Sequence, residues 1–299
     1  MKKLTLKDAG TAFISSFVLS QFFVILVSSL VQIGFAFFSS PESYANFTNS
    51  AVSYLISVIA LNFVLTVIFF IFNNNKDNKI IEKPTVKKIF LYIAIGVAIF
   101  FLLYPINYCI NTLFIKIGIK PSLLTYSLNT PNYLISIVSL VILPAVCEEL
   151  LFRGLIFKAL KPKGKIFSIM ISALMFSLFH MSINQLFHPF IVGLILGLVM
   201  YKENNVTYCI IIHAINNFIS LTLQYLNISL IFNHWTYILV AIILFLALLV
   251  FLLYFIFKNH KLVEKTNFEK QDTKTFYFCL AIMVIIWIII VIAKQFTNL

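Results

Sequence analysis

Two adjacent glutamates sit inside an apolar run, Leu143-Pro144-Ala145-Val146-Cys147-Glu148-Glu149-Leu150-Leu151-Phe152-Arg153-Gly154. The chain holds ten acidic residues, and the others fall in loops or near the ends of apolar stretches. A charged side chain at the centre of a membrane helix costs about 2.5–3.5 kcal/mol on insertion scales, so two in succession need partners or a task. On a helix Glu149 and Arg153 meet at i, i+4, with the acid on the favoured N-terminal side. Arg153 is the single arginine among 22 basic residues, and its guanidinium can hold a carboxylate bidentately where an ammonium cannot. Glu148 points ~100° away, and its own helix offers it only Leu151 and Phe152 at i+3 and i+4. This pattern reads Glu149–Arg153 as a structural pair and leaves Glu148 as the chemical group.

Partners for Glu148 must come from other apolar runs. His180 closes the segment Phe176-Ser177-Leu178-Phe179-His180, with Phe176 one turn earlier and placed to wall its ring. His213 and Asn217 share a face at i, i+4, while Asn216 points elsewhere. His188 and His234 lie near the ends of apolar runs and read as interfacial; His260 lies in a basic loop. Any one of these taken singly reads as a helix–helix hydrogen bond worth about 0.6 kcal/mol. Three spacings in chain order, E-E-x-x-x-R, F-x-x-x-H and H-x-x-x-N, make chemistry the stronger reading. Other hydrolytic motifs lack their residues: no His is followed by Glu for an H-E-x-x-H zinc site, and no G-x-S-x-G occurs. Asp8, Asp77 and Asp272 all lie outside the apolar core.

The elements that must carry these residues are membrane helices. Hydrophobic residues make up 61% of the 299, charged residues 11%, and the mean hydropathy is +1.02, against roughly 25% charged in a soluble domain. The all-α, polytopic bundle this implies has about nine transmembrane helices, at 11–38, 51–73, 89–115, 132–157, 165–183, 186–201, 206–225, 235–257 and 276–294. Eight remain if the short sixth does not cross. The net charge of +12 comes from lysine clusters between the runs, such as Lys158, Lys161, Lys163 and Lys165. Clusters in alternate loops suit cytoplasmic loops over anionic lipid and exclude nucleic acid as a partner, since no extended basic face or recognition motif occurs. With the N-terminus cytoplasmic, the other loops keep only Glu42, Lys116 and Lys120, and Lys294 ends the last span outside. The first apolar run is too long for a signal-peptide core. Four cysteines, all in apolar runs, read as free thiols. The organisation is then residues 1–129 as an N-terminal scaffold, 130–225 as the core and 226–299 as C-terminal helices. Gly193 and Gly197 form a G-x-x-x-G step that either serves close packing or is ordinary.

Over roughly 130–225 these motifs resemble the CPBP family of intramembrane proteases, which includes CAAX prenyl endopeptidases and bacterial bacteriocin-processing or self-immunity proteins. By that resemblance Glu148 is the catalytic acid/base, His180, His213 and Asn217 its partners, and Glu149 and Arg153 supporting residues. The implied reaction is peptide hydrolysis by a water that Glu148 and His180 activate, with His213 and Asn217 donating to the oxyanion. Two His and one Glu are also the donors of an open zinc site, so Glu148, His180 and His213 stay open as ligands of zinc or another divalent metal. The expected setting is a multi-pass protein of a bacterial plasma membrane, its partners the lipid bilayer, a membrane-associated, prenylated or leader peptide, and other membrane proteins. A water-filled cavity opening to the cytoplasm is expected. The rival readings are a non-catalytic immunity or scaffold protein and a proton-coupled transporter; no repeated half supports the latter.

Overall fold

The computed structural model describes residues 4–73, 81–119, 126–228, parts of 236–250 and 270–296. Apolar chain in lipid must satisfy its backbone internally, and the described residues form helices without a strand. Long helices are α1 (Leu6–Phe38), α3 (Ala51–Phe72), α4 (Val86–Lys116), α5 (Thr130–Lys163), α8 (Val206–Tyr225) and α9 (Lys270–Phe296). Six described helices are long and apolar enough to cross a membrane. The fifth and sixth expected spans are the shorter α6 (Lys165–Phe179) and α7 (Phe187–Glu203). The span expected at 235–257 lies largely outside the described residues, as do His234 and His260. A short α2 (Pro41–Thr48), not expected from hydropathy, joins α1 to α3.

Polar residues set the helix ends. Thr5 and Asp8 form a reciprocal capping box at α1, Asn129 accepts from the Asn132 N–H at α5, and Asn205 accepts from the Thr207 N–H at α8. Gly164 turns α5 into α6 at φ 108°, a conformation that a side chain resists.

α5 is the central helix. Every residue from Leu150 to Ile156 is buried. Phe152 stands edge-on to Phe13 of α1 and to Phe176 and Phe179 of α6, at centroid distances of 6.3, 5.2 and 5.5 Å. The G-x-x-x-G step of α7 lies on α6: a Cβ at Gly193 would come within 3.0 Å of the Ala173 backbone, and one at Gly197 within 3.3 Å of Ile169. Close approach of α6 and α7 therefore requires Gly193.

Cross-helix bonds fix which ends lie together. Lys88 pairs with Glu203, and Lys161 donates to Asn204. At the opposite end Thr130 bonds Tyr225 and Tyr133 bonds Thr222, each at 3.0 Å. Lys294 donates to the Met181 carbonyl at that same end, also at 3.0 Å.

Candidate active site

α5 is not a uniform helix. Two π-helical stretches, Ile137–Ile142 and Leu150–Ile156, flank the α-helical turn Leu143–Glu149, and π insertions reset which side chains share a face. Proline explains part of this. Pro144 lacks the N–H that an α-helix would send back to the Leu140 carbonyl. The side chain of Asn217 takes that place, its Nδ2 donating to Leu140 O at 2.9 Å.

Glu149 and Arg153 are fully buried, and Arg153 Nη1 donates to Glu149 Oε1 at 2.7 Å. The pairing expected from their spacing is present. A third member joins it from α8: His213 Nδ1 lies 3.0 Å from the same Glu149 oxygen. Arg153 Nη2 reaches the Gly193 carbonyl at 3.4 Å, and its guanidinium sits over the Phe176 ring at 4.3 Å, a contact worth ~2 kcal/mol when desolvated. Glu149 Oε2 and Arg153 Nε have no hydrogen-bond partner. The cluster is thus held in place without every polar atom being satisfied.

Phe176 stands edge-on to both histidines, 5.1 Å from His180 and 5.7 Å from His213. It touches both rings and covers Arg153. His180 lies at the C-terminal cap of α6, its Nδ1 3.0 Å from Phe176 O. A carbonyl can only accept, so this Nδ1 carries the hydrogen. A carboxylate sets the same state at His213 Nδ1. In their neutral forms both rings therefore keep Nε2 as the free polar atom, with its lone pair exposed.

Glu148 is turned about 100° around α5 from Glu149. It lines a cavity of about 610 Å³ together with His180, His213 and Asn217, and its Oε2 is buried with no partner. The expected residues thus divide: four face one space, while Glu149, Arg153 and Phe176 brace it from behind. Zinc would need three ligands at about 2 Å. Among the described residues no three His, Cys, Asp or Glu side chains gather closely enough to hold a metal ion.

Several lining residues differ from the sequence reading. His188, read as interfacial, lines the cavity beside the other two histidines. Asn62 of α3 and Asn107 of α4 lie on helices read as scaffold, yet both face the same space, as do Tyr54 and Tyr104. A signal was present: Phe100, Tyr104 and Asn107 recur at i, i+4, i+7, and Tyr54, Val58, Leu61 and Asn62 at i, i+4, i+7, i+8. Asn216 points away to α4, as its helical position requires, and donates to Gly96 O at 3.2 Å, although its edge still reaches the cavity wall.

The cavity occupies one half of the bundle. It takes the first half of α3, the second half of α4, the first half of α5, the start of α7 and the later turns of α8. These are the ends away from Lys88, Lys161 and Lys202. If the lysine-bearing ends are cytoplasmic, the expected opening to the cytoplasm is on the wrong side.

Residues 130–219 match the family model of type II CAAX prenyl endopeptidase Rce1-like proteins. The resemblance to the CPBP proteases holds over this segment. It is the stretch that carries Glu148, His180, His213 and Asn217, and it spans α5 through most of α8. No curated protein and no solved structure matches the chain. The chain is a multi-pass helical membrane protein whose central segment is similar to type II CAAX prenyl endopeptidases.

Proposed function

We propose that the protein is an intramembrane endopeptidase in which Glu148 activates water against a peptide bond. The observation that carries this reading is the division of the two adjacent carboxylates. Glu149 is fully buried and its Oε1 is taken by Arg153 and His213, while Glu148 lines the cavity and forms no ion pair among the described residues. A free carboxylate beside a polar cavity is placed for general-base work.

In the proposed step, water in the cavity gives a proton to Glu148 as its oxygen attacks the scissile carbonyl carbon. Neutral His180 accepts the second water hydrogen at Nε2 and orients the nucleophile. Asn217 has an N–H beyond the one given to Leu140 and donates it to the developing oxyanion. His213 donates there only when Nε2 also carries a hydrogen, because Nδ1–H serves Glu149. The tetrahedral intermediate then breaks its C–N bond, and Glu148 passes its proton to the leaving amine. The products are a carboxylate and an amine.

The test uses protein purified in detergent and a panel of internally quenched membrane peptides, including one prenylated at a C-terminal Cys. Wild type should cleave at least one member, and Glu148→Gln should lose that cleavage while folding normally. Equal cleavage by both proteins would remove the site from the reaction.

A further inference from the structure

We propose that the cavity receives its peptide from the extracytoplasmic face of the membrane; the peptide part rests on the hydrolase reading above, the side of opening does not. Three observations carry it. The first is the position of the lining along each helix. Most of the lining lies toward the Thr130–Tyr225 end of its helix, where Lys294 also ends on the Met181 carbonyl, and Glu148 and His213 sit near mid-helix.

The second is charge. Lys87, Lys88, Lys161, Lys163, Lys165 and Lys202 all lie at the opposite end of the bundle. Among the described residues the cavity end carries only Glu42, Lys116 and Lys294 as charged side chains. Lysine bias in short loops marks the cytoplasmic side.

The third is closure below the site. Between Glu148 and the lysine end lie Glu149, Phe152, Arg153 and Ile156 on α5, with Phe176 and Ile212 from α6 and α8; none is more than 2% exposed. Neither water nor a peptide can reach Glu148 through that plug. At the other end the rim residues Gln185 and Gln224 line the cavity and are exposed.

The lining also states what would enter. Its described residues include no lysine or arginine, and Glu148 is their one carboxylate. Amides and hydroxyls dominate the polar part. Such groups pair with the N–H and C=O of extended backbone, and the lining has no lysine or arginine to hold a substrate carboxylate. An uncharged stretch of an exported peptide suits this surface better than a free C-terminus.

The experiment labels single cysteines with a membrane-impermeant maleimide. The background is Cys109→Ser, because Cys109 is the exposed native thiol. Gln185→Cys and Gln224→Cys should label in intact cells, and Lys202→Cys only after lysis. The reverse pattern overturns the proposal, and so does failure of both rim positions to label from either side. Peptide entry is read separately, with a membrane-impermeant mixture of quenched, uncharged peptides. Intact cells should cleave it in a manner lost with Glu148→Gln, and sealed inside-out vesicles should not. Outward labelling without this cleavage overturns the peptide half and the hydrolase reading together; cleavage confined to inside-out vesicles keeps the hydrolase and overturns the side.

Discussion

Replacing Arg153 and Glu149 singly and together separates their structural role from their effect on His213. Arg153→Met leaves a carboxylate buried at 0% exposure with one remaining partner, His213. Breaking a buried ion pair this way costs about 3–5 kcal/mol. Glu149→Leu leaves the guanidinium with only Phe176 and a 3.4 Å bond to Gly193 O, at a similar cost of about 3–5 kcal/mol. If the two losses added, the double variant would lose about 6–10 kcal/mol, enough to unfold most domains. The structure predicts much less. Glu149 Oε2 and Arg153 Nε already lack partners, so an apolar pair of similar volume gives up a network that was not fully satisfied. The remaining penalty is the orphaned His213 Nδ1–H, about 1–3 kcal/mol. Equilibrium unfolding in mixed detergent micelles measures all three variants. Cleavage should behave differently from stability. The double variant should stay at least about 10²-fold below wild type, because an imidazole without its orienting carboxylate loses the productive tautomer. Losses that add across the cycle, or a double variant with wild-type turnover, would refute the assignment of this cluster as the brace for His213.

Other predictions follow from single contacts. Asn217→Ala should destabilise by about 1–3 kcal/mol by leaving Leu140 O without its donor, and less in a Pro144→Ala background, where a backbone N–H is restored; thermal unfolding of the four proteins measures the difference. Gly193→Ala places a methyl 3.0 Å from the Ala173 backbone and should cost about 1–3 kcal/mol, with the same change at Gly34, which has open space, as the control. Lys294→Met removes the bond to Met181 O, next to His180, and should cost about 1.5–3 kcal/mol and lower kcat more than it raises KM, read from initial rates.

Much of the architecture was legible because lipid imposes one backbone solution on apolar runs. Expected spans and observed helices agree closely at 51–73 against Ala51–Phe72 and 206–225 against Val206–Tyr225. The Glu149–Arg153 pair was legible for the same local reason, since i, i+4 geometry lies within one helix. What one helix does not encode was missed. The second partner of Glu149 comes from α8, 64 residues later, and spacing along a chain says nothing about which helices lie side by side. The π stretches of α5 were also hidden, because hydrophobic periodicity does not distinguish a helix that shifts to i→i+5 bonding on both sides of Pro144. His188 was misread for a related reason. It lies near the end of its apolar run, as interfacial residues do, yet that end forms the cavity mouth.

The adjacent glutamates provide the most direct test of the central claim. Glu148→Gln and Glu149→Gln would be compared for unfolding midpoint and for turnover of the same quenched peptide. Loss of a general base should lower turnover by about 10²–10⁴-fold, and Glu148→Gln should do so with a wild-type midpoint. Glu149→Gln should lower the midpoint itself, since it discharges the partner of both Arg153 and His213. A stable, active Glu148→Gln protein would contradict the account, whatever Glu149→Gln does.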